Sequence, residues 1–142
     1  MAPNLSMPQA QIIPELTYPD VPAATQWLST VLGFSVRLRI GSHRAQLVFG
    51  TGAAIIKEGA APDPDATPTH SVMVRVTDVD AHHAKALSSG AKVSGPPTTY
   101  PYGERQYAVQ DIGGHWWVFS QSVENVHPDQ WGGELISPQH EP

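Results

Sequence analysis

Two stretches of the chain follow the same pattern, and this repeat constrains the fold more than any other feature. The first is IIPELTYPDVPAATQWLSTVLGFSV, residues 12–36, and the second is HSVMVRVTDVDAHHAKALSSGAKV, residues 70–93. Asp20 matches Asp78 at an offset of 58 residues, and Gly33 matches Gly90 at an offset of 57 residues. Two copies are too few for a solenoid. The repeat therefore indicates a duplicated unit.

Each copy begins with an element whose type the residue pattern predicts. Residues 12–18 and 71–77 alternate apolar and polar side chains, as strands with one buried face do. The aspartate after each strand stands where a helix N-cap belongs, because its carboxylate can accept hydrogen bonds from free amides of the first turn. The glycine that closes each Ala-rich segment suits the left-handed residue at a helix end. Further strand-like runs follow at residues 34–40, 44–49 and 53–57, and at residues 91–93, 105–110 and 115–121.

The order of these elements predicts an α+β fold made of two tandem βαβββ modules. We expect a single domain over residues 1–142, with the two copies at about 11–57 and 70–121. The stretch EGAAPDPDATPT, residues 58–69, has three prolines and small polar residues, which are typical of a linker. Residues 122–142 show no period and are predicted to form a C-terminal arm over the domain or over a partner chain.

Composition excludes several functions. The chain of 142 residues has a net charge of -5 and no cluster of Lys or Arg, so neither nucleic acid nor a membrane surface is an expected partner. The absence of cysteine removes disulfides, Cys-rich zinc sites and Cys nucleophiles. The N-terminal segment lacks the basic and apolar regions of a signal peptide, and no apolar run reaches the length of a membrane span. The expected location is the cytoplasm.

One segment carries a more specific pattern. Residues 100–121, YPYGERQYAVQDIGGHWWVFSQ, contain Tyr-Gly-x-Arg-x-Tyr and then Asp-x-x-Gly-His before an aromatic strand. Together with the paired modules, this pattern resembles the vicinal oxygen chelate superfamily, which includes glyoxalases, bleomycin-resistance proteins and extradiol dioxygenases. The likeness covers roughly residues 10–122. It implies that the sheets of the two modules curl around a shared cavity and that the protein forms a homodimer. Whether residues 58–69 allow an exchange of modules between chains stays open.

The resemblance also implies where a metal would bind. Metal-dependent members take ligands from the first and last strand of each module, and these positions fall here on Ile13, Ser71 and Val118 and near Ile56. A divalent metal needs three or more converging N or O donors, so no metal and no other cofactor is expected. Two nearby residues could still act as donors: Glu15, which keeps the cavity-facing side, and His70, which a one-residue slip would point away from the cavity.

Strand alternation divides the side chains between a core face and a cavity face. On the core side we expect Ile12, Pro14, Leu16, Val72, Val74, Val76, His115, Trp117 and Phe119. The cavity wall is predicted to be Ile13, Ile56, Met73, Trp116 and Val118, with polar groups from Glu15, Thr17, Ser71, Arg75 and Ser120. Tyr102 and Arg105, from a loop and strand beside the cavity, are further candidate ligand-binding residues. The plainer interpretations are that Trp116 fills the cavity, that Glu15 pairs with Arg75, and that Arg105 forms a structural salt bridge.

A mostly apolar pocket with few polar groups is typical of a small-molecule site, and Trp116 offers a flat face for stacking. The favoured function is therefore a metal-free protein that binds or sequesters a planar or cationic, antibiotic-like compound, as bleomycin-resistance proteins do. The first alternative is a glyoxalase-, isomerase- or dioxygenase-type enzyme with a divalent metal held by Glu15, His70 or another donor. The second is a metal-independent enzyme with Glu15 as a base, because a carboxylate in an apolar cavity could abstract an acidic proton; no other catalytic residue is expected. The adjacent His82 and His83, on a predicted helix, are expected at the surface.

Overall fold

The computed structural model describes residues 4–136. It contains nine strands and two α-helices. The strands are β1 (Glu15–Tyr18), β2 (Ser35–Ile40), β3 (Arg44–Phe49), β4 (Gly52–Glu58), β5 (Val72–Arg75), β6 (Lys92–Val93), β7 (Thr98–Thr99), β8 (Glu104–Gln110) and β9 (Trp116–Ser122). Helix α1 (Val21–Trp27) continues as a π-helical turn (Leu28–Leu32), α2 spans Val79–Ser88, and a 3-10 turn covers Pro128–Gln130.

Both helices begin at the aspartates that the repeat singles out. Asp20 accepts a hydrogen bond from the amide of Ala23 at 3.0 Å, and Asp78 accepts one from the amide of Ala81 at 3.0 Å. Each bond satisfies an amide that lacks a partner within its helix. Gly33 ends the first helical segment with φ of 90°, a left-handed conformation that residues with a Cβ avoid. The predicted caps are confirmed.

The strands form two sheets, one from each copy of the repeat. The first has the order β1-β4-β3-β2 and the second the order β5-β9-β8-β6, with β7 added beside β8. In each sheet the first and last strands of the module run parallel and the other pairs run antiparallel. The predicted α+β fold of two βαβββ modules is confirmed. Strand β7 was not predicted, and β1 starts at Glu15 rather than at Ile12.

The faces of the two sheets that carry the helices meet in one hydrophobic core. Trp117 and Phe119 of β9 are fully covered, and the ring of Trp117 lies edge-on to Phe34 at a centroid distance of 5.1 Å. Leu28 and Leu32 of the π-helical turn pack into the same cluster. Two predicted positions are wrong. Ile12 is 86% exposed because it precedes the strand, and Ile56 lies in the core instead of a cavity wall because it is paired with Leu16 on the helix-covered face.

Within residues 4–136, no helix combines the length and the apolar character that a membrane span needs. The boundaries of the predicted domain and linker stay predictions. Residues 137–142 of the predicted arm lie outside the described part of the chain.

Candidate ligand-binding site

The face of the second sheet that points away from the helices carries most of the predicted ligand-binding residues. Strand pairing sets Met73 beside Val118, and Val118 beside Ala108. Met73 is 61% exposed. Ser71, Trp116 and Val118 line a cleft of about 360 Å³ together with Ala108, with His70 and with the end of the linker at Pro68 and Thr69. The structure thus places four of the predicted residues on one open, largely apolar surface.

Trp116 also borders a second cleft, which lies between the linker and the turn before β9. This cleft has a volume of about 240 Å³ and contains Pro62, Asp63, Gln110 and His115. The side chain of Trp116 therefore separates two adjacent clefts and is reachable from both. An indole ring in this position offers an apolar surface for stacking and an N–H donor.

The Asp-x-x-Gly-His motif joins the two modules. The carboxylate of Asp111 accepts hydrogen bonds from the hydroxyl of Tyr18 at 2.5 Å, from Nε1 of Trp117 at 2.9 Å, and from the amides of Gly113 and His115. Burial, followed by the nearby Asp111 charge, raises the pKa of Tyr18 well above its usual value, so the hydroxyl stays protonated and donates. A Cβ on Gly113 would collide with the ring of Tyr18. These contacts give the motif a structural role, because they hold the second module against the first.

His115 contributes to the same contact between the two modules. Its Nε2 lies 2.7 Å from the carbonyl oxygen of Thr17, and since a carbonyl can only accept, Nε2 carries the proton. The ring is half-buried and lies against Tyr18 at a centroid distance of 4.7 Å. His115 therefore links β9 to β1 of the other module. It lies on the core side of the strand, as the alternation predicts.

The opposite end of the open face is polar. Nη1 of Arg75 donates to the hydroxyl of Ser122 at 2.6 Å. The buried Ser120 donates to Glu104 at 2.6 Å and accepts from Nε2 of Gln106 at 3.0 Å. The hydroxyl of Tyr102 lies 3.4 Å from Oε1 of Gln106. Tyr102 and Arg75 therefore belong to this face, on the side away from Trp116.

Two predicted residues are held elsewhere. Glu15 lies on the outer face of the first sheet, where its carboxylate is 3.3 Å from Arg44 and 3.4 Å from Lys57. It does not pair with Arg75, and it is half-exposed between two cations instead of standing in an apolar cavity. Arg105 points to the helix side of β8 and forms a two-pronged pair with Asp80, at 2.9 Å and 3.1 Å. This hydrogen-bonded pair holds the pKa of the Asp80 carboxyl below its usual value.

The donor set does not fit a metal centre. In the part of the chain that the structure describes, no group of three or more His, Asp or Glu side chains is arranged to hold an ion. Strand pairing also revises one of the expected ligand positions. Val118 is paired with Met73, and the equivalent pairing in the first module joins Ile55 to Glu15, so the counterpart of Val118 is Ile55 and not Ile56. Neither Ile55 nor Val118 can donate to a cation.

Sequence reasoning missed two features of this region. His82 is not a surface residue: its Nε2 donates to the carbonyl oxygen of Leu32 at 2.9 Å, and its Nδ1 lies 2.6 Å from the hydroxyl of Tyr107. Trp131, from the C-terminal segment, lies edge-on to Tyr102 at a centroid distance of 5.6 Å. No local pattern around either residue signals these long-range contacts, because both depend on how distant elements pack.

Comparison with known proteins identifies the superfamily to which this chain belongs. Residues 10–119 match the model of the Glyoxalase/Bleomycin resistance protein/Dioxygenase superfamily. Because this match covers most of the chain, the protein belongs to that superfamily, whose members include both binding proteins and enzymes.

Individual relatives agree with the assignment. The structure is similar to that of TioX from Micromonospora sp. ML1, with a TM-score of 0.68 and 33% identity over 80% of this chain and 99% of that one. It also shares its fold with the bleomycin-binding protein of Streptomyces verticillus, solved with copper(II)-bleomycin: the TM-score is 0.57 and the identity 24%, over 80% of this chain and 95% of that one. An uncharacterised protein of Mycobacterium bovis is 37% identical over 60 residues, which span 42% of this chain and 40% of that protein.

Proposed function

We propose that this protein binds and sequesters a small, planar or cationic molecule without using a metal. The single observation that carries the proposal is the position of Trp116, which stands between two clefts on the open face of the second sheet with Ser71 and Val118 beside it. Flat aromatic side chains in a mostly apolar cleft favour planar ligands, and their faces attract cations. An antibiotic-like ligand fits this chemistry, and the bleomycin-binding relative supports that choice.

The proposal includes no catalytic residue. Glu15, the one carboxylate considered as a base, lies in a cluster with Arg44 and Lys57 on the other sheet. Its carboxylate is half-exposed and held by two ion pairs, so it does not stand in an apolar cavity where a bound substrate would meet it. The described donors also fall short of the three ligands that a divalent metal needs. Binding is therefore favoured over an enzymatic role of glyoxalase, isomerase or dioxygenase type.

A homodimer is part of the proposal. Strand β5 stands at the edge of its sheet, and Met73 on that strand and Ile12 nearby are both exposed at one apolar cleft of about 490 Å³. Exposed apolar side chains along an edge strand favour coverage by another chain. Light scattering coupled to size exclusion should give the mass of two chains, and Met73→Arg should shift it toward one. A monomeric wild-type protein would contradict this part.

Binding can be tested through the tryptophans. We expect the indole N–H resonance of Trp116 to shift in a saturable way when quinoline, a neutral planar probe, or 1-methylquinolinium, its cationic analogue, is added. Trp116→Ala should abolish quinoline binding measured by calorimetry while leaving the folded structure intact, because the side chain is only half-buried. An unchanged isotherm in Trp116→Ala would remove the basis of the proposal.

Metal content provides the second test. Protein purified without an affinity tag should hold less than about 0.2 equivalents of Ni, Zn, Fe or Mn per chain, because a bound ion needs three or more donors. Elemental analysis measures this directly. A near-stoichiometric metal that survives dialysis would favour the enzymatic alternative.

A further inference from the structure

Three aromatic side chains cluster at the polar end of the open face. The rings of Tyr100 and Tyr102 are parallel, with an interplanar angle of 1° and centroids 5.4 Å apart, and Trp131 stands edge-on to Tyr102. Tyr100 and Trp131 are 40% and 41% exposed. Large aromatic side chains left this accessible in one place are a common mark of a binding surface.

The C-terminal segment is fixed to this place by backbone contacts. The amides of Val123 and Glu124 donate to the carbonyl oxygen of Gly103, at 2.8 Å and 3.2 Å. Gly103 has φ of 83°, and a Cβ there would collide with the carbonyl of Glu124. Nε1 of Trp131 donates to the carbonyl oxygen of Val126 at 3.3 Å. The aromatic cluster is therefore a built feature of the fold that depends on a glycine.

A carboxylate without a cationic partner lies beside the cluster. Glu104 is half-buried and accepts a hydrogen bond from Ser120, and within residues 4–136 it takes part in no salt bridge. It shares the outer face of β8 with Gln106, which contacts Tyr102. A half-buried charge is stabilised by a partner of opposite sign.

The sequence around the cluster carries more negative than positive charge. Arg75, on the same end of the open face, donates to Ser122 and forms no salt bridge within residues 4–136. Residues 96–104 and 122–136 contain four carboxylates, Glu104, Glu124, Asp129 and Glu134, and no Lys or Arg. Electron-rich ring faces next to unbalanced carboxylates attract cations that carry apolar groups. Anions and neutral polar molecules are not attracted in this way by ring faces and carboxylates.

We infer that Tyr100, Tyr102, Trp131 and Glu104 form a subsite for an organic cation, such as a quaternary or protonated aromatic amine. This inference deepens the proposed binding function and rests on it. The subsite and Trp116 occupy opposite ends of the open face: Ser120 pairs with Gln106 near the cluster, and Trp116 pairs with Gln110 four residues along β9. At about 3.4 Å per residue, this spacing is about 14 Å. A ligand with its cationic group at the cluster can thus reach Trp116 with a planar group.

The test uses 1-methylquinolinium against neutral quinoline, with nitrogen-15 spectra of the four tryptophan indoles and calorimetry as readouts. We expect 1-methylquinolinium to shift the Trp131 indole resonance, and quinoline to leave it in place. Glu104→Gln keeps the acceptor for Ser120 and removes the charge, so it should weaken binding of the cation by about tenfold or more and change quinoline binding by less than about twofold. Trp131→Leu should have the same selective effect.

Matched controls separate this inference from the proposed function. Glu58→Gln removes the same charge from an exposed position at the end of β4, and it should leave both affinities unchanged. If 1-methylquinolinium shifts only the Trp116 resonance and Glu104→Gln binds it as well as the wild type, the cation subsite is wrong and the proposed function stands. If 1-methylquinolinium shifts neither the Trp116 nor the Trp131 resonance, the cation subsite is also wrong. The quinoline titration then decides whether the proposed function stands.

Discussion

The outer faces of the two sheets occupy equivalent places in the repeat and have opposite characters. In the first sheet, Glu15, Ile55 and Gln46 lie side by side, and in the second sheet the same positions hold Met73, Val118 and Ala108. Ile55 and Gln46 are each 3% exposed, whereas their counterparts Val118 and Ala108 are half-buried. The edge residues Glu15 and Met73 are both exposed. The centre of the first face is therefore closed, and that of the second face is open.

The N-terminal segment closes the first face. Nε2 of Gln46 donates to the carbonyl oxygen of Ser6 at 2.7 Å, and Arg37 donates to both Gln46 and the carbonyl oxygen of Leu5, at 2.7 Å and 3.0 Å. Ala108 has no side chain that could hold such a segment. A few polar side chains in one of the two duplicated modules are thus enough to hold the N-terminal segment over its outer face. The outer face of the other module is left available for a ligand.

The largest effect is expected from truncating equivalent residues on the two faces. Ile55→Ala should lower the free energy of unfolding by about 2–4 kcal/mol, because it leaves a cavity under the N-terminal segment. Val118→Ala, at the matching position, should cost about 1 kcal/mol or less, because its side chain stays partly in contact with water. Urea denaturation of both variants measures the difference. Equal losses would show that the open face is as well packed as the closed one.

A smaller effect is expected from Gln46→Ala. The change removes the donor to the carbonyl of Ser6 and one of the two acceptors of the Arg37 guanidinium, which keeps its bond to Leu5, and we expect a loss of about 1–2 kcal/mol. Faster hydrogen exchange in β2 and β3 should accompany it, while exchange in β8 and β9 stays unchanged. Ala108→Gln is the matched control, since a side chain added there enters the cleft beside Trp116 and Val118 and replaces no existing hydrogen bond. Protection of β2 and β3 at the wild-type level would mean that the N-terminal segment does not close this face.

The smallest effect concerns the inner faces, where the two modules touch. Burial lowers the pKa of His82, and the positive charge of Lys85 adds to this, against the opposing hydrogen bond to Leu32. The unfolded chain therefore binds a proton more readily than the folded one below the ordinary imidazole value of about 6.5. Stability from the neutral His82 is complete above that pH and declines as pH falls below it.

Denaturation between pH 7.5 and pH 5.5 checks this dependence. His82→Gln should reduce the decline, because the amide can still donate to Leu32 and no longer titrates. His43→Gln, at an exposed position in the β2–β3 turn, should leave the decline unchanged. Identical pH profiles for the wild type and His82→Gln would contradict the assignment of a neutral, buried imidazole.

The repeat and the strand alternation predict most of this architecture. The two aspartate caps, the left-handed Gly33, and the division of Trp116 and Val118 from Trp117 and Phe119 follow from local rules of helix ends and strand periodicity. The two errors have different sources. Ile12 lies before β1, whose start the alternation does not reveal. The side of Ile56 is wrong because a shift of one residue in a strand reverses the side-chain direction, and only the pairing of β1 with β4 fixes the register.

The candidate site was predicted less completely than the fold. Ser71, Met73, Arg75, Trp116 and Val118 lie on the open face, as the alternation indicates, and Tyr102 reaches it from the loop before β8. Their role in binding stays a proposal. Glu15 and Arg105 have ion-pair partners far away in sequence, which no local pattern reveals. The same is true of Trp131, whose meeting with Tyr102 depends on the contact between Gly103 and Glu124.

The sequence by itself determined the duplicated βαβββ unit, the ends of its helices and the side of β9 on which each aromatic residue lies. These features follow from hydrogen bonds and periodicities within short stretches of chain. Only the tertiary structure decided which outer face is covered, which carboxylate has a cationic partner and where the C-terminal Trp131 is placed. These depend on contacts between segments far apart in the chain, whose energies arise only once the core has brought the two modules together.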